Sequence, residues 1–224
     1  MTRVYYADYN SDTTGNTPAG WERNDTTNFL PVISTSNAFE GTKCVQLTKL
    51  STAPTSSHWF AIDTVTSPGT GEYEVKATVY FIDATLRGGP VFRGKDATTN
   101  EGYFMALRAG NSFRFSYLSG TTETVKVTAT VSYSAATHYY IKAYASGSTI
   151  RGRFWAASGS EPSTWDIDTT DATLNNTNHL VGAYYFNGSA DTDSIFFDVL
   201  EANDFNSAAA VVTTKPRLLL MKVG

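Results

Sequence analysis

Over residues 72–83 the chain reads EYEVKATVYFID. In an extended chain, Tyr73, Val75, Ala77, Val79 and Phe81 point to one side, and Glu74, Lys76, Thr78 and Tyr80 to the other. Such alternation predicts a strand with one face on a core. Shorter strand-like runs recur at 29–33, 43–47, 58–62, 90–95, 102–108, 113–118, 124–130, 138–145, 148–155, 179–186 and 194–202. Ser119-Gly120-Thr121-Thr122 and Ser146-Gly147 predict tight hairpins, and Asn187-Gly188-Ser189 joins the last two runs. No stretch has the period of an amphipathic helix. About eleven to thirteen strands with closely spaced turns predict an all-β fold, a two-sheet antiparallel sandwich.

Composition supports strands over helices. The chain has 33 Thr and 20 Ser against 8 Glu and 8 Lys, so its polar surface is built from hydroxyls more than from charge. Its net charge of −4 leaves no basic surplus to neutralise phosphates, which argues against nucleic-acid binding. With 13 Phe, 13 Tyr and 4 Trp there is ample material for a core. Cys44 is the only cysteine, which excludes an intrachain disulfide and a multi-cysteine metal site. The first residues, MTRVYYAD, carry no apolar signal segment, and no apolar run approaches the ~18 residues of a membrane span. The expectation is therefore synthesis in a cytoplasm without membrane insertion.

The sandwich is expected to occupy residues 1–204. Residues 205–224 form a C-terminal extension with no acid after Phe205, ending in Leu218, Leu219, Leu220 and Met221 between Arg217 and Lys222. Such an apolar cluster needs cover. It either adds a strand to its own sheet or docks on a neighbouring subunit.

Catalytic patterns are sparse. Retaining glycosidases need carboxylates ~5–5.5 Å apart, a spacing that residues i and i+2 of one strand supply. The alternating E-x-D-x-E of jelly-roll glucanases does not occur; Glu72/Glu74 and Asp166/Asp168 have the spacing alone. Jelly-roll polysaccharide lyases use a Gln-x-His strand, whereas Gln46 is the only glutamine and lacks the following histidine. Tyr184-Tyr185-Phe186 echoes their Tyr-Phe-Lys strand only in part. The three histidines, His58, His138 and His179, accompany no G-x-S-x-G elbow. The expectation is a non-enzymatic protein. Sugar binding needs flat aromatic faces and planar polar side chains. The candidates are Trp59, Tyr80, Arg93, Tyr103 and Arg108, with core packing or ion pairing as the alternative role for each.

Several stretches carry a resemblance: GNTPAGW at 15–21, GPVFR at 89–93, NEGYFMAL at 100–107, IRGRFW at 150–155, EPSTW at 161–165, HLVG at 179–182 and FFDV at 196–199. Their order resembles the concanavalin A-like and laminin-G-like jelly rolls, in particular those of bacteriophage structural proteins. The resemblance covers most of residues 4–202. It implies two curved antiparallel sheets and a role in sugar or protein binding. It also puts the strands of Arg93, Tyr103 and Arg108 in the inner-curve sheet. A structural calcium is common in such folds, and the positions that fit are Asp8, the carbonyl near Gly41, and Asp198, with Asp191 and Asp193 as further carboxylates. On this resemblance the chain is expected to be a virion component: a capsid decoration, head fibre or tail appendage. It would be homo-oligomeric, attached to other virion proteins, and in contact with host glycans. A carbohydrate-binding module and a glycan-cleaving enzyme of the same fold are the alternatives.

Overall fold

The computed structural model describes residues 2–23, 25–50, 58–63, 72–83, 85–95, 99–108, 110–174, 180–187 and 193–205; of Thr2, Val4, Tyr5, Trp59, Ile62 and Asp63 it describes the backbone alone. These residues contain fifteen strands and no helix. One sheet runs in the order β13 (Ile167–Thr170), β12 (Thr149–Ala156), β11 (His138–Ser146), β6 (Tyr73–Phe81), β15 (Ser194–Asp204), β4 (Cys44–Lys49) and β3 (Phe29–Ser34), with β1 (Thr2–Ala7) also paired to β15. The other runs β10 (Thr122–Thr130), β9 (Ser112–Ser119), β8 (Gly102–Arg108), β7 (Arg87–Gly94), β14 (Leu180–Phe186), β5 (His58–Asp63) and β2 (Trp21–Arg23). Neighbouring strands are antiparallel in both sheets.

The alternation read in β6 sets its two faces. Tyr73, Val75, Ala77, Val79 and Phe81 are all buried and belong to the main core. Across the sandwich that core includes Phe92, Tyr103, Met105, Leu107, Phe113, Phe115 and Tyr185. Burying each large apolar side chain contributes about 1.5–3 kcal/mol against chain entropy. The hairpin turns also fall where Gly and Ser predicted them. Gly147, between β11 and β12, has φ +53, a backbone conformation that costs a residue with a Cβ but not glycine.

Three features depart from expectation. Trp21–Arg23 and Ile167–Thr170 are strands, each short and at a sheet edge, where few pairing partners reinforce the local pattern. Asp166 and Asp168, singled out for their spacing, therefore lie at and in edge strand β13. The third departure concerns β14 and β15. Although successive, they lie in opposite sheets and do not pair with each other. Of the C-terminal extension only Phe205 is among the described residues; Leu218, Leu219, Leu220 and Met221 lie outside them.

A second apolar cluster distinguishes the seven-stranded sheet. Phe60, Val91, Phe104, Ala106, Leu118, Tyr184 and Phe186 are buried together, with Leu180 packed on them. They alternate with the core residues of the same strands, so they occupy the sheet's outer face.

Candidate functional site

The outer face of the seven-stranded sheet is assembled by register. In one cross-strand row, Phe60 of β5 faces Tyr184 of β14, which faces Gly89 of β7; farther along, Ala106 of β8 faces Arg114 of β9, which faces Thr128 of β10. In the next row His58 faces Phe186, which faces Arg87, and Arg108 faces Ser112. On the other side of the Tyr184 row, Gly182 faces Val91, Val91 faces Phe104, and Phe104 faces Ser116. The small residues Gly89 and Ala106 thus separate Tyr184 from Arg114.

Polar groups ring this apolar floor. His58 Nδ1 lies 2.9 Å from the Tyr184 hydroxyl. The Arg87 guanidinium sits 4.1 Å from the Phe186 ring centroid, and the His58 ring 4.7 Å from it. Ser116 donates its hydroxyl proton to Glu123 Oε1 at 2.8 Å. Burial holds the His58 imidazole below its ordinary range and pushes the Tyr184 phenol well above its own, so both are neutral near pH 7. Burial also lowers Arg87, with a contribution from the charge of Arg114, and Glu123 opposes this. Arg87 nonetheless stays charged, because a guanidinium does not lose its proton in proteins. Arg87 Nε and Arg114 Nε are buried with no hydrogen-bond partner among the described residues.

Of the candidates read in the sequence, Arg108 lies on this face, one strand from Arg114. Tyr103 occupies the same strand, β8, with opposite parity, and points into the sandwich. It is fully buried, donates its hydroxyl to Asp171 and accepts the Leu174 amide at 2.7 Å. Arg93 is 1% exposed and also interior. Its guanidinium donates to the Leu174 carbonyl at 2.8 Å and the Gly147 carbonyl at 2.6 Å, and its amide to the Tyr73 hydroxyl at 3.1 Å. Arg93 and Tyr103 thus tie loops to the sandwich from its interior. Tyr80 lies on the outer face of the other sheet, its ring 4.7 Å from that of His138. Of Trp59 the backbone is described: it pairs with Tyr185 in β14. Arg87, Arg114 and Glu123 were not singled out from the sequence. Their only local signal is their position along the strand: Arg87 shares its parity with Gly89 and Val91, Arg114 shares its parity with Ser116 and Leu118, and Glu123 pairs with Leu118.

The paired acids do not converge on a substrate. Glu72 accepts the Tyr144 hydroxyl at 2.6 Å and Glu74 pairs with Lys142 at 3.2 Å. Asp166 accepts the Phe154 amide at 3.1 Å and Asp168 pairs with Arg151 at 3.0 Å. All four carboxylates serve strand edges and ion pairs.

The positions that the resemblance assigned to calcium do approach one another. Asp198 sits in a bulge of β15, between its pairing with β4 and with β1, where the strand re-aims a side chain. Its Oδ2 accepts the backbone amides of Phe39 and of Glu40, the latter at 2.6 Å, while Oδ1 is buried without a partner among the described residues. Burial, with Glu40 and Asp8 nearby, raises the Asp198 carboxyl to about 6. Gly41 follows with φ +74, and a Cβ there would stand 2.2 Å from the Asn10 amide nitrogen. Asp191 lies outside the described residues. No group of three or more His, Cys, Asp or Glu side chains that could hold a metal ion is found among the described residues. Calcium takes six to eight oxygens, so the described side chains do not make a calcium cage.

No protein-family profile matches the chain, and no curated protein matches it. Solved structures do. A protein of unknown function with a galectin-like fold from Bacillus subtilis superposes with TM-score 0.62 at 9% identity, over 91% of this chain and 96% of that one. The carbohydrate-binding module CBM66 from Bacillus subtilis gives 0.60 at 13% identity, over 83% and 96%. The exoplasmic/lumenal domain of VIP36, in a form bound to Ca2+ and Man3GlcNAc, gives 0.53 at 11% identity, over 92% and 92%. The chain shares their jelly-roll fold. The two-sheet antiparallel sandwich expected from the sequence is thus what the chain forms, and at these identities the likeness speaks for the fold alone.

Proposed function

We propose that this protein is a non-catalytic glycan-binding domain and that it holds its ligand on the outer face of the seven-stranded sheet. One observation carries the reading: Arg87, Arg108 and Arg114 border an apolar, aromatic floor, and the buried Nε donors of Arg87 and Arg114 meet no acceptor among the described residues. A sugar presents both apolar C–H patches and hydroxyl pairs, and such a surface meets both. The carbohydrate-binding module among the structural neighbours is consistent with this. The test is binding of the isolated protein to an immobilised glycan panel. Wild type retains a glycan that Arg108→Ala and Arg114→Gln release, while Tyr80→Ala, on the opposite face, retains it. Loss with Tyr80→Ala alone would move the ligand to the other sheet.

The hydrogen-bonded His58–Tyr184 pair favours a second reading, glycan cleavage, because a neutral imidazole beside a phenol is an acid–base pair. Release of new chain ends from a bound polysaccharide, lost with His58→Ala, would select it. The finer proposal that this domain serves on a phage particle is supported by the sequence resemblance and by the apolar segment Leu218, Leu219, Leu220 and Met221. It predicts that removing residues 206–224 abolishes particle attachment.

A further inference from the structure

The arginines of this face differ from the other described arginines of the protein. Arg151 pairs with Asp168 and Arg153 with Glu161. Arg93 donates to two carbonyls, Arg23 donates to the Phe29 carbonyl at 2.8 Å, and Arg3 lies over the Tyr6 ring. Arg87, Arg108 and Arg114 have neither an ion pair nor a hydrogen-bond partner among the described residues. One strand, β8, separates the strands of Arg87 and Arg114; Arg87 feels the charges of Arg114 and Glu123, and both arginines act on Tyr184, so they share one neighbourhood. The carboxylates that register puts on this face are Glu123, engaged by Ser116, and Glu22 on edge strand β2, opposite Ile62. His58 adds no charge while its imidazole stays neutral. Three guanidiniums against one nearby carboxylate leave a local positive surplus, in a chain whose net charge is −4.

That surplus is costly unless something answers it. Two like charges drawn together and partly desolvated repel, and a buried Nε–H without an acceptor forfeits a hydrogen bond. A hydroxyl-only sugar would satisfy the donor but not the charge. A planar anion satisfies both, because a guanidinium fork matches the two oxygens of a carboxylate. Resting on the reading of this face as a glycan site, we propose that its ligand is an anionic glycan. An acidic group of one sugar unit would sit between Arg87 and Arg114, two strands apart on this face, with its ring on the side of Gly89 and Ala106. Arg108 then contacts the neighbouring unit. A uronate carboxylate and a sulfate ester share this chemistry.

The experiment is titration calorimetry on the intact protein. The probes are oligosaccharides of galacturonate, glucuronate and mannuronate, the carboxyl-reduced form of each, and a sulfated oligosaccharide with its desulfated form. The expected result is binding of an acidic probe that weakens at least about tenfold on carboxyl reduction or desulfation, as loss of a charge-assisted hydrogen bond requires. Binding should also weaken as salt rises. Arg87→Gln and Arg114→Gln should each lose about tenfold or more with the melting temperature unchanged, and Arg87→Lys should restore charge without the fork and recover only part. Preference for a uronate identifies a carboxylate and preference for the sulfated probe a sulfate ester; either supports the proposal. Equal binding of acidic and neutralised forms would overturn it and leave the glycan-binding function standing. Binding of none of the acidic probes, with a neutral glycan retained on the panel, would overturn it in the same way. Binding of no glycan at all would overturn both.

Discussion

The two outer faces of the sandwich handle charge in opposite ways. On the eight-stranded sheet, charges answer one another. Lys142 Nζ bridges Glu74 at 3.2 Å and Glu161 at 2.8 Å, Glu161 also takes Arg153, and Lys76 pairs with Glu201 at 3.2 Å. Its aromatic groups are committed as well: His138 Nε2 lies 3.0 Å from the Asn37 carbonyl, and Tyr140 donates to Glu40 at 3.3 Å. The seven-stranded face places three arginines around a dry floor and leaves them unanswered among the described residues. Ion pairs that close on themselves stabilise a fold. Charges held in position without partners spend stability for some other purpose, and a binding site is the usual one.

That contrast is open to mutation. The largest effect belongs to the floor itself. Phe104→Ala removes a ring stacked 3.8 Å from that of Tyr184 and should cost about 3–5 kcal/mol by denaturant unfolding, as in a true core. A cost under about 1 kcal/mol would mean that this layer is not packed. Next comes Asp198, which belongs to neither face's charge pattern. Its carboxyl is raised from 3.8 to about 6, so the folded state holds the proton more tightly than the unfolded chain. The associated stability is full below about pH 4 and is lost as pH rises through about 6, by at most about 3 kcal/mol. Asp198→Asn still offers an oxygen to the Phe39 and Glu40 amides. It should lack this slope and be at least as stable as wild type at pH 7. Parallel pH profiles for the two proteins would refute the assignment.

Smaller effects separate the faces directly. Lys142→Met leaves the buried Glu74 without its cation, while Glu161 keeps Arg153, and should cost about 2–3 kcal/mol. Arg114→Gln, on the seven-stranded face, should change stability by less than about 0.5 kcal/mol, because no described partner loses a bond. If Arg114→Gln destabilised as much as Lys142→Met, the distinction between a structural and a ligand-facing charge would collapse.

Much of the architecture could be read from local pattern. Period-2 alternation in β6 fixed which residues reach the core, and Gly120 and Gly147 marked the turns of two hairpins. Pairing across the sandwich was less legible. β14 and β15 follow one another yet separate into different sheets, a choice made by partners distant in sequence. The site suffers from the same limit. His58 and Tyr184 are 126 positions apart and meet only through the β5–β14 ladder. Arg93 and Arg108 look alike in the sequence. A left-handed backbone at Arg93, φ +50, next to the irregular pairing of β7 with β14, sends that side chain inward while Arg108 stays outside. Parity within a strand separates Tyr103 from Arg108, but which parity faces the core emerges only once both sheets are assembled.

The most direct test compares the two faces on one ligand. Affinity for the best-bound acidic oligosaccharide is measured for wild type, for the double variant Arg87→Gln/Arg114→Gln and for Tyr80→Ala. The account predicts that the double variant loses binding and Tyr80→Ala keeps it. Retained binding in the double variant together with loss in Tyr80→Ala would contradict it.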